Sequence, residues 1–222
     1  MPVYRLTPGE ISFPNPTLAR QDGLLAVGGD LCMERLLLAY SHGIFPWYEP
    51  GEEILWWCPK ERFVIFPEEI HISRSMVKYT KKHAFTFQVN RNFKDTIHRC
   101  RIKREFSEGT WITDEMEEAY CLLNKEGYAL SMEAFEDGNL AGGLYGVSLG
   151  CCFFGESMFS ERENGSKAAL IALARLLGRN GFLLIDCQFH TPHLQSMGGK
   201  YISWESYDSI LREGVRDLSL QQ

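Results

Sequence analysis

Ala129-Leu-Ser-Met-Glu-Ala-Phe135, Glu-Asp-Gly-Asn, Leu140-Ala-Gly-Gly-Leu-Tyr-Gly-Val147, Ser-Leu-Gly, Cys151-Cys-Phe-Phe-Gly-Glu-Ser-Met158: this stretch decides the fold. Three apolar and aromatic runs are split by short turn-forming clusters. Asp137-Gly138 tolerates the positive φ that a tight hairpin demands, so the stretch reads as an antiparallel meander. Ser166 to Leu177 follows as an apolar helix, Phe182 to Gln188 as a strand and Trp204 to Arg212 as a last helix. Upstream, Arg62 to Phe66 and Phe85 to Val89 read as strands. Ser73 to Lys82, Phe93 to Lys103 and Thr113 to Lys125 read as helices, the third capped by Thr113 and stopped by Gly127. The fold class is α+β, a mixed, mainly antiparallel sheet flanked by helices.

The first 62 residues look like a small separate domain, with residues 63–222 forming the larger one. Gly23 to Asp30 leads into a helix with Asp30 as N-cap, Leu36, Leu37 and Tyr40 as its apolar face and Gly43 as its stop. Trp47, Trp56 and Trp57 follow within eleven residues. They read either as a small aromatic core or as a flat wall, held by Pro46, for a ligand. Gly28-Gly29 lacks the spacing of a dinucleotide loop.

A chain of 222 residues, 45% hydrophobic and 13% aromatic, can bury a sizeable core. No apolar run reaches the roughly 20 residues of a membrane span. The N-terminal residues have no signal-peptide layout. Seven cysteines, an odd number without a C-x-x-C pair, fit reduced thiols in the cytoplasm. His190 and His193 lack nearby partners at ligand spacing, so no metal is expected.

The net charge of −6 argues against nucleic acid, but its distribution does not. Between His71 and Arg104, Arg74, Lys78, Lys81, Lys82, Arg91, Lys94, Arg99, Arg101, Lys103 and Arg104 face only Asp95. This block is a solvated face or a polyanion surface. Arg74, Lys78, Lys81 and Lys82, at helical spacing, share one face. Two carboxylates stand among apolar residues. Asp186 and Gln188, two apart on a strand, are expected on one face, with Ile185 and Cys187 on the other. Glu156 sits among the aromatics of the meander. Each needs a hydrogen-bond network or a polar substrate to offset its burial.

Meander, helix, strand, helix is the order of acyl-CoA N-acyltransferases. Those enzymes seat a pyrophosphate on a glycine-rich loop opening the helix after the meander. Arg162-Glu-Asn-Gly-Ser-Lys167 lacks the Gln/Arg-x-x-Gly-x-Gly/Ala loop, so the fold is similar but the cofactor is not expected. The segments Gly23-Leu-Leu-Ala-Val-Gly-Gly-Asp30, Gly43-Ile-Phe-Pro-Trp47, Trp56-Trp57-x-Pro59, His71-Ile-Ser-Arg-Ser75, Gly109-Thr-Trp-Ile112, Gly142-Gly-x-Tyr-Gly146, Gly155-Glu-Ser-Met-Phe-Ser160, Ser166-Lys167 and Ile185-Asp-Cys-Gln188 are more specific. In this order they resemble the leucyl/phenylalanyl-tRNA–protein transferase family, from about Phe13 to Tyr207. Trp204, where the family usually has Arg, and the short tail depart from it.

The resemblance implies transfer of Leu, Phe or, less well, Met from aminoacyl-tRNA to the α-amino group of proteins beginning with Arg or Lys, creating an N-degron. The partners would be Leu-tRNA, Phe-tRNA and those proteins; no cofactor is needed, because the donor ester is already activated. The protein would be a cytoplasmic monomer. By the same resemblance Asp186 and Gln188 stand at the catalytic centre, and Glu156 accepts a hydrogen bond from the adenosine or the aminoacyl amine. Trp47 and Trp111 flank the adenosine, Gly155 allows close approach, and Leu144, Phe153, Met158 and Ile185 shape the side-chain pocket. Arg74, Lys78, Lys81 and Lys82 track acceptor-stem phosphates. The rival readings are an acetyl-CoA N-acyltransferase and a non-catalytic aminoacyl-tRNA-binding protein.

Overall fold

The computed structural model describes residues 3–105 and 110–216. Gly109 of the fifth motif, the tail beyond Arg216 and the side chain of Arg104 lie outside the described residues.

Two sheets organise the chain. The first holds β1 (Tyr4–Leu6), β2 (Leu24–Gly28), β3 (Phe45–Pro46) and β4 (Leu55–Trp57) in the order β1-β2-β4-β3. Helix α1 (Met33–Ser41) lies between β2 and β3 in the chain. Asp30 is not its N-cap: the helix starts after Cys32, and Asp30 accepts from the Cys32 N–H and from Arg35 Nε at 3.1 Å. The carboxylate is spent on fixing a buried arginine instead. Gly43 ends the helix with φ +70°, as its sequence position indicates. A Cβ there would meet the Tyr207 ring at 2.6 Å.

The second sheet holds β5 (Glu61–Ile65), β6 (Phe85–Val89), the meander β7 (Ala129–Glu136), β8 (Asn139–Leu149) and β9 (Cys152–Ser160), then β10 (Leu184–Asp186) and β11 (Lys200–Ser203). Their order is β11-β5-β10-β9-β8-β7-β6. The meander forms as read, turning at Asp137 and Gly138 with φ of +50° and +77°. Helices α2 (Arg74–Lys82), α3 (Phe93–Glu105), α4 (Asp114–Lys125), α5 (Gly165–Arg179), α6 (Pro192–Ser196) and α7 (Trp204–Leu211) complete the fold. Ser73 caps α2 and Thr113 caps α4, each accepting a backbone N–H three residues on.

Two cores follow. One gathers α5 and Met76 of α2 with Met132, Leu144, Phe153 and Ile185 of the second sheet. The other joins the first sheet and α1 to α3, α4 and α7, so both sheets share it. Trp56 is fully buried there and donates to Gly28 O, whereas Trp47 is 41% exposed. The aromatic-core reading therefore holds for Trp56, while Trp47 is left exposed.

The strand expected over Phe182 to Gln188 is shorter. It covers only Leu184 to Asp186, because the Phe182 N–H closes the turn after α5 and Gln188 takes a left-handed φ of +57°. Period-two alternation fails at Gln188, which changes where the two polar side chains point.

Candidate active site

β10 pairs in parallel with β9 from Leu184↔Cys152 to Asp186↔Phe154 and then stops, while β9 runs on to Ser160. The two strands part, and a cavity of about 320 Å³ fills the opening. A bulge in β9 shapes it. Tyr145 opposes Ser157 and Gly146 opposes Gly155, leaving Glu156 as the extra residue. Bulges re-aim side chains in this way.

The cavity gathers most of the residues singled out in the sequence. Trp47, Trp111, Leu144, Phe153, Gly155, Glu156, Met158, Ile185 and Gln188 all line it. Leu170 of α5, Leu194 of α6, Phe45 and Phe189 complete its apolar wall; sequence reasoning missed them because nothing in apolar periodicity separates a cavity wall from a core. Glu156 is the only charged side chain among the described lining residues.

Asp186 does not face this cavity, which corrects the expectation that it shares a face with Gln188. Ile185 and Cys187 take the cavity side, and Asp186 is fully buried behind them. Arg62 grips it, Nε to Oδ1 at 3.0 Å and Nη2 to Oδ2 at 2.9 Å. The Tyr207 hydroxyl donates to Oδ2 at 2.6 Å, and the Gln188 backbone N–H donates to Oδ1 at 2.9 Å. Arg62 also donates to Gly43 O of the first sheet's loop at 2.8 Å. Burial works against the Arg62 charge, but Asp186 raises its pKa overall. Burial, chiefly, raises the Tyr207 pKa well above its usual value, so the phenol keeps its proton and donates. Asp186 thus fixes the backbone of Gln188. The Gln188 Nε2 is buried without a hydrogen-bond partner, an open donor beside the cavity.

Glu156 accepts from Tyr40 OH at 2.6 Å and from Tyr120 OH at 3.2 Å. The two hydroxyls also touch each other. Burial pushes the carboxyl up to about 7, while both tyrosines pull it down. Burial raises the Cys187 thiol, so that cavity thiol stays protonated and is a poor nucleophile.

Gly155 is informative. A Cβ there would lie 3.6 Å from Asp186 O and 3.8 Å from the Phe153 ring, ordinary contact distances. Protein packing does not demand glycine at this lining position. Trp47 and Trp111 meet edge to face, centroids 6.2 Å apart at 86°. In this arrangement they do not sandwich a base, and one ring must turn to do so.

The basic block divides in two. Arg74, Lys78, Lys81 and Lys82 are exposed on α2, as read. On α3, Arg99 pairs with Asp95 and Glu161, Lys103 with Glu161, and Arg101 with Asp114. Much of the second half is neutralised within the protein.

With this geometry in place, comparison with known proteins is decisive. The sequence profile of the leucyl/phenylalanyl-tRNA protein transferase matches residues 64–212, and that of its N-terminal domain residues 29–60. The chain belongs to the leucyl/phenylalanyl-tRNA–protein transferase family. It is therefore an enzyme, a tRNA-dependent aminoacyltransferase. The leucyl/phenylalanyl-tRNA–protein transferase of Syntrophus aciditrophicus is 55% identical over 212 residues, 95% of this chain and 89% of that one. That of Syntrophobacter fumaroxidans is 50% identical over 219 residues, 98% of this chain and 93% of that one. Among solved structures, L-PGS from Bacillus licheniformis overlaps with a TM-score of 0.40 at 15% identity, covering 79% of this chain and 59% of that one. An aminoglycoside acetyltransferase in complex with sisomicin, from a soil metagenome, overlaps with 0.38 at 14% identity, covering 48% and 78%. Among the described residues of the transferase, no helix is long and apolar enough to cross a membrane.

Proposed function

We propose that this transferase moves Leu, Phe and, less well, Met from their tRNAs to the α-amino group of proteins beginning with Arg or Lys, acting as a cytoplasmic monomer and marking those proteins for degradation. One observation carries the reading: an apolar cavity of about 320 Å³ whose lining holds one charged group, Glu156. An apolar wall suits the transferred side chain. A lone carboxylate suits an amine.

The reaction is aminolysis of an ester. The acceptor nitrogen attacks the carbonyl carbon, the carbon–oxygen bond to the terminal ribose breaks, and the ribose oxygen takes up a proton from the amine. An α-amino group has a pKa near ~8, so a usable neutral fraction exists at pH 7. Alignment and oxyanion stabilisation then carry the barrier. Glu156, its pKa raised by burial toward neutrality, binds the incoming ammonium and takes its excess proton. Gln188 lines the same cavity, with an unused N–H donor for the tetrahedral oxyanion or an amide oxygen for the amine. Asp186 acts at one remove, by holding Gln188. Leu144, Phe153, Met158 and Ile185 receive the Leu or Phe side chain, and the adenosine stacks on Trp47 or Trp111 after one ring turns. The exposed cations of α2 meet acceptor-stem phosphates, which needs no base readout.

The test is a transfer assay with radiolabelled Phe-tRNA and peptides that differ only in their first residue. Label enters the Arg and Lys peptides and not an Nα-acetylated Arg peptide. Equal labelling of all peptides, or none of any, would overturn the proposal.

A further inference from the structure

A second cleft, of about 180 Å³, shares two walls with the substrate cavity. On α5, Leu170 faces the cavity while Lys167 and Ile171 face the cleft. On α6, Leu194 faces the cavity and Ser196 the cleft. His71 and Ser73, just ahead of α2, close the other side.

Its charge is one-sided. No carboxylate is among the described residues that line it. Lys167 is half-buried and makes no ion pair or hydrogen bond among the described residues. Glu69, on the same side of the molecule, is held by Lys200 at 2.6 Å. Ser73 is engaged in capping Met76 N–H, and Ser196 donates to His193 O. Lys167 and His71 are left as donors with nothing to hold. The His193 pKa is lowered, first by burial and then by the nearby Lys167 charge. An ammonium facing a cleft with no carboxylate in its described lining is placed to hold an anion through a charge-assisted hydrogen bond.

The surroundings say which anion. The exposed face of Arg74 and Lys78 begins at Ser73, on the rim of the cleft. Cations line a path along α2, the cleft ends it, and the substrate cavity lies across α5 and α6. We propose that this cleft seats one backbone phosphate of the single-stranded 3′ segment of the donor tRNA, held by Lys167 and His71. This rests on the reading of the larger cavity as the aminoacyl-adenosine seat. The cleft then acts as a second anchor, fixing the strand just ahead of the reacting nucleotide.

The experiment measures affinity for donor tRNA against salt concentration in wild type, Lys167→Gln and Lys167→Arg. Lys167→Gln is expected to bind roughly tenfold more weakly, the loss of one charge-assisted contact. Its log–log salt slope should be shallower by about 0.7, one single-strand phosphate. Lys167→Arg should behave like wild type. An aminoacyl-adenosine analogue without any phosphate should bind all three proteins equally, which also shows that Lys167→Gln is folded. Wild-type protein that transfers, with Lys167→Gln unchanged in affinity and slope, overturns this inference alone. Equal loss of analogue binding overturns it too, since Lys167 would then be shaping the cavity. Inorganic phosphate that binds near Lys167 without competing with tRNA also overturns it, as the cleft would then be a free-phosphate site. Wild-type protein that neither binds tRNA nor transfers overturns both readings.

Discussion

Replacing Asp186 by Ala should unfold the protein more readily as well as slow it. The carboxylate is fully buried, and Arg62, also buried, is its counterion at 2.9 Å. Truncation strands the Arg62 charge, and breaking a buried pair from one side costs about 3–5 kcal/mol. At roughly 2–4 °C per kcal/mol for a chain of this size, the melting temperature should fall by about 6–20 °C. Arg62→Met should do the same, for the mirror-image reason. Gln188→Gly is the contrast: it deletes the amide side chain but suits the positive φ at that position. It should melt within a few degrees of wild type, yet turn over roughly two orders of magnitude more slowly, the loss of a positioned catalytic group. Thermal melts followed by single-turnover transfer separate these outcomes. The reasoning is refuted if Asp186→Ala melts like wild type while kcat collapses, because Asp186 would then work on the substrate and not as an anchor.

Other perturbations probe the remaining walls. Gly155→Ala fits its protein neighbours at 3.6 and 3.8 Å, so its urea midpoint should hold while kcat/KM falls, the methyl group occupying substrate space. With Glu156 at about 7, kcat/KM should rise with pH through an inflection near neutrality. Tyr40→Phe removes a donor to the ionised form, so that inflection should move up; an unmoved inflection would show that another group controls it. Because the folded pKa of Glu156 lies above its unfolded value, the native state holds the extra proton between about pH 4.5 and 7. Stability therefore drops across that window as pH rises, and Glu156→Gln should flatten the drop in urea midpoints. Met158→Ala enlarges the pocket and should shift a Leu-against-Phe competition toward Phe, since a methylene decides only about 1–3 kcal/mol. Neutralising Arg74, Lys78, Lys81 and Lys82 together should flatten the salt dependence of tRNA affinity by about 0.7–0.9 per lost phosphate contact. Arg99→Gln with Lys103→Gln should change that slope little, because those cations already hold Asp95 and Glu161.

How much of this was legible beforehand depended on locality. The meander, the Thr113 cap and the Gly43 stop follow from turn and cap chemistry within a few residues, and each formed as read; Ser73, read as the first helical residue, is instead the cap of α2. The cavity wall was legible only through the family resemblance, since Leu144, Phe153 and Ile185 carry the pattern of ordinary core. Asp186 was misplaced because strand alternation was extended through Gln188. The left-handed backbone there combines a local Asx-type turn, the Gln188 N–H held by Asp186 Oδ1, with a long-range bond from Cys187 N–H to Phe63 O. Arg62, Tyr207, Tyr40 and Tyr120 left no local mark. Tyr40 lies 116 residues from the carboxylate it serves and Arg62 lies 124 from its own. Such pairs become visible only when the two sheets close on a shared core. The basic block between His71 and Arg104 divides: its four α2 cations stay exposed as read, while Arg99, Arg101 and Lys103 of α3 pair with neighbours that sequence spacing does not reveal.

The central claim is that the opening between β9 and β10 holds an aminoacyl side chain with its ester beside Glu156 and Gln188. A crystal structure with an amide-linked phenylalanyl-adenosine analogue tests it directly. The account predicts the phenyl ring among Leu144, Phe153, Met158 and Ile185, the carbonyl within hydrogen-bond reach of Gln188, and the adenine stacked on Trp47 or Trp111 with one indole turned from its edge-to-face position. An adenine buried in the cavity with the phenyl ring in solvent, or a ligand bound away from β9 and β10 altogether, would contradict it.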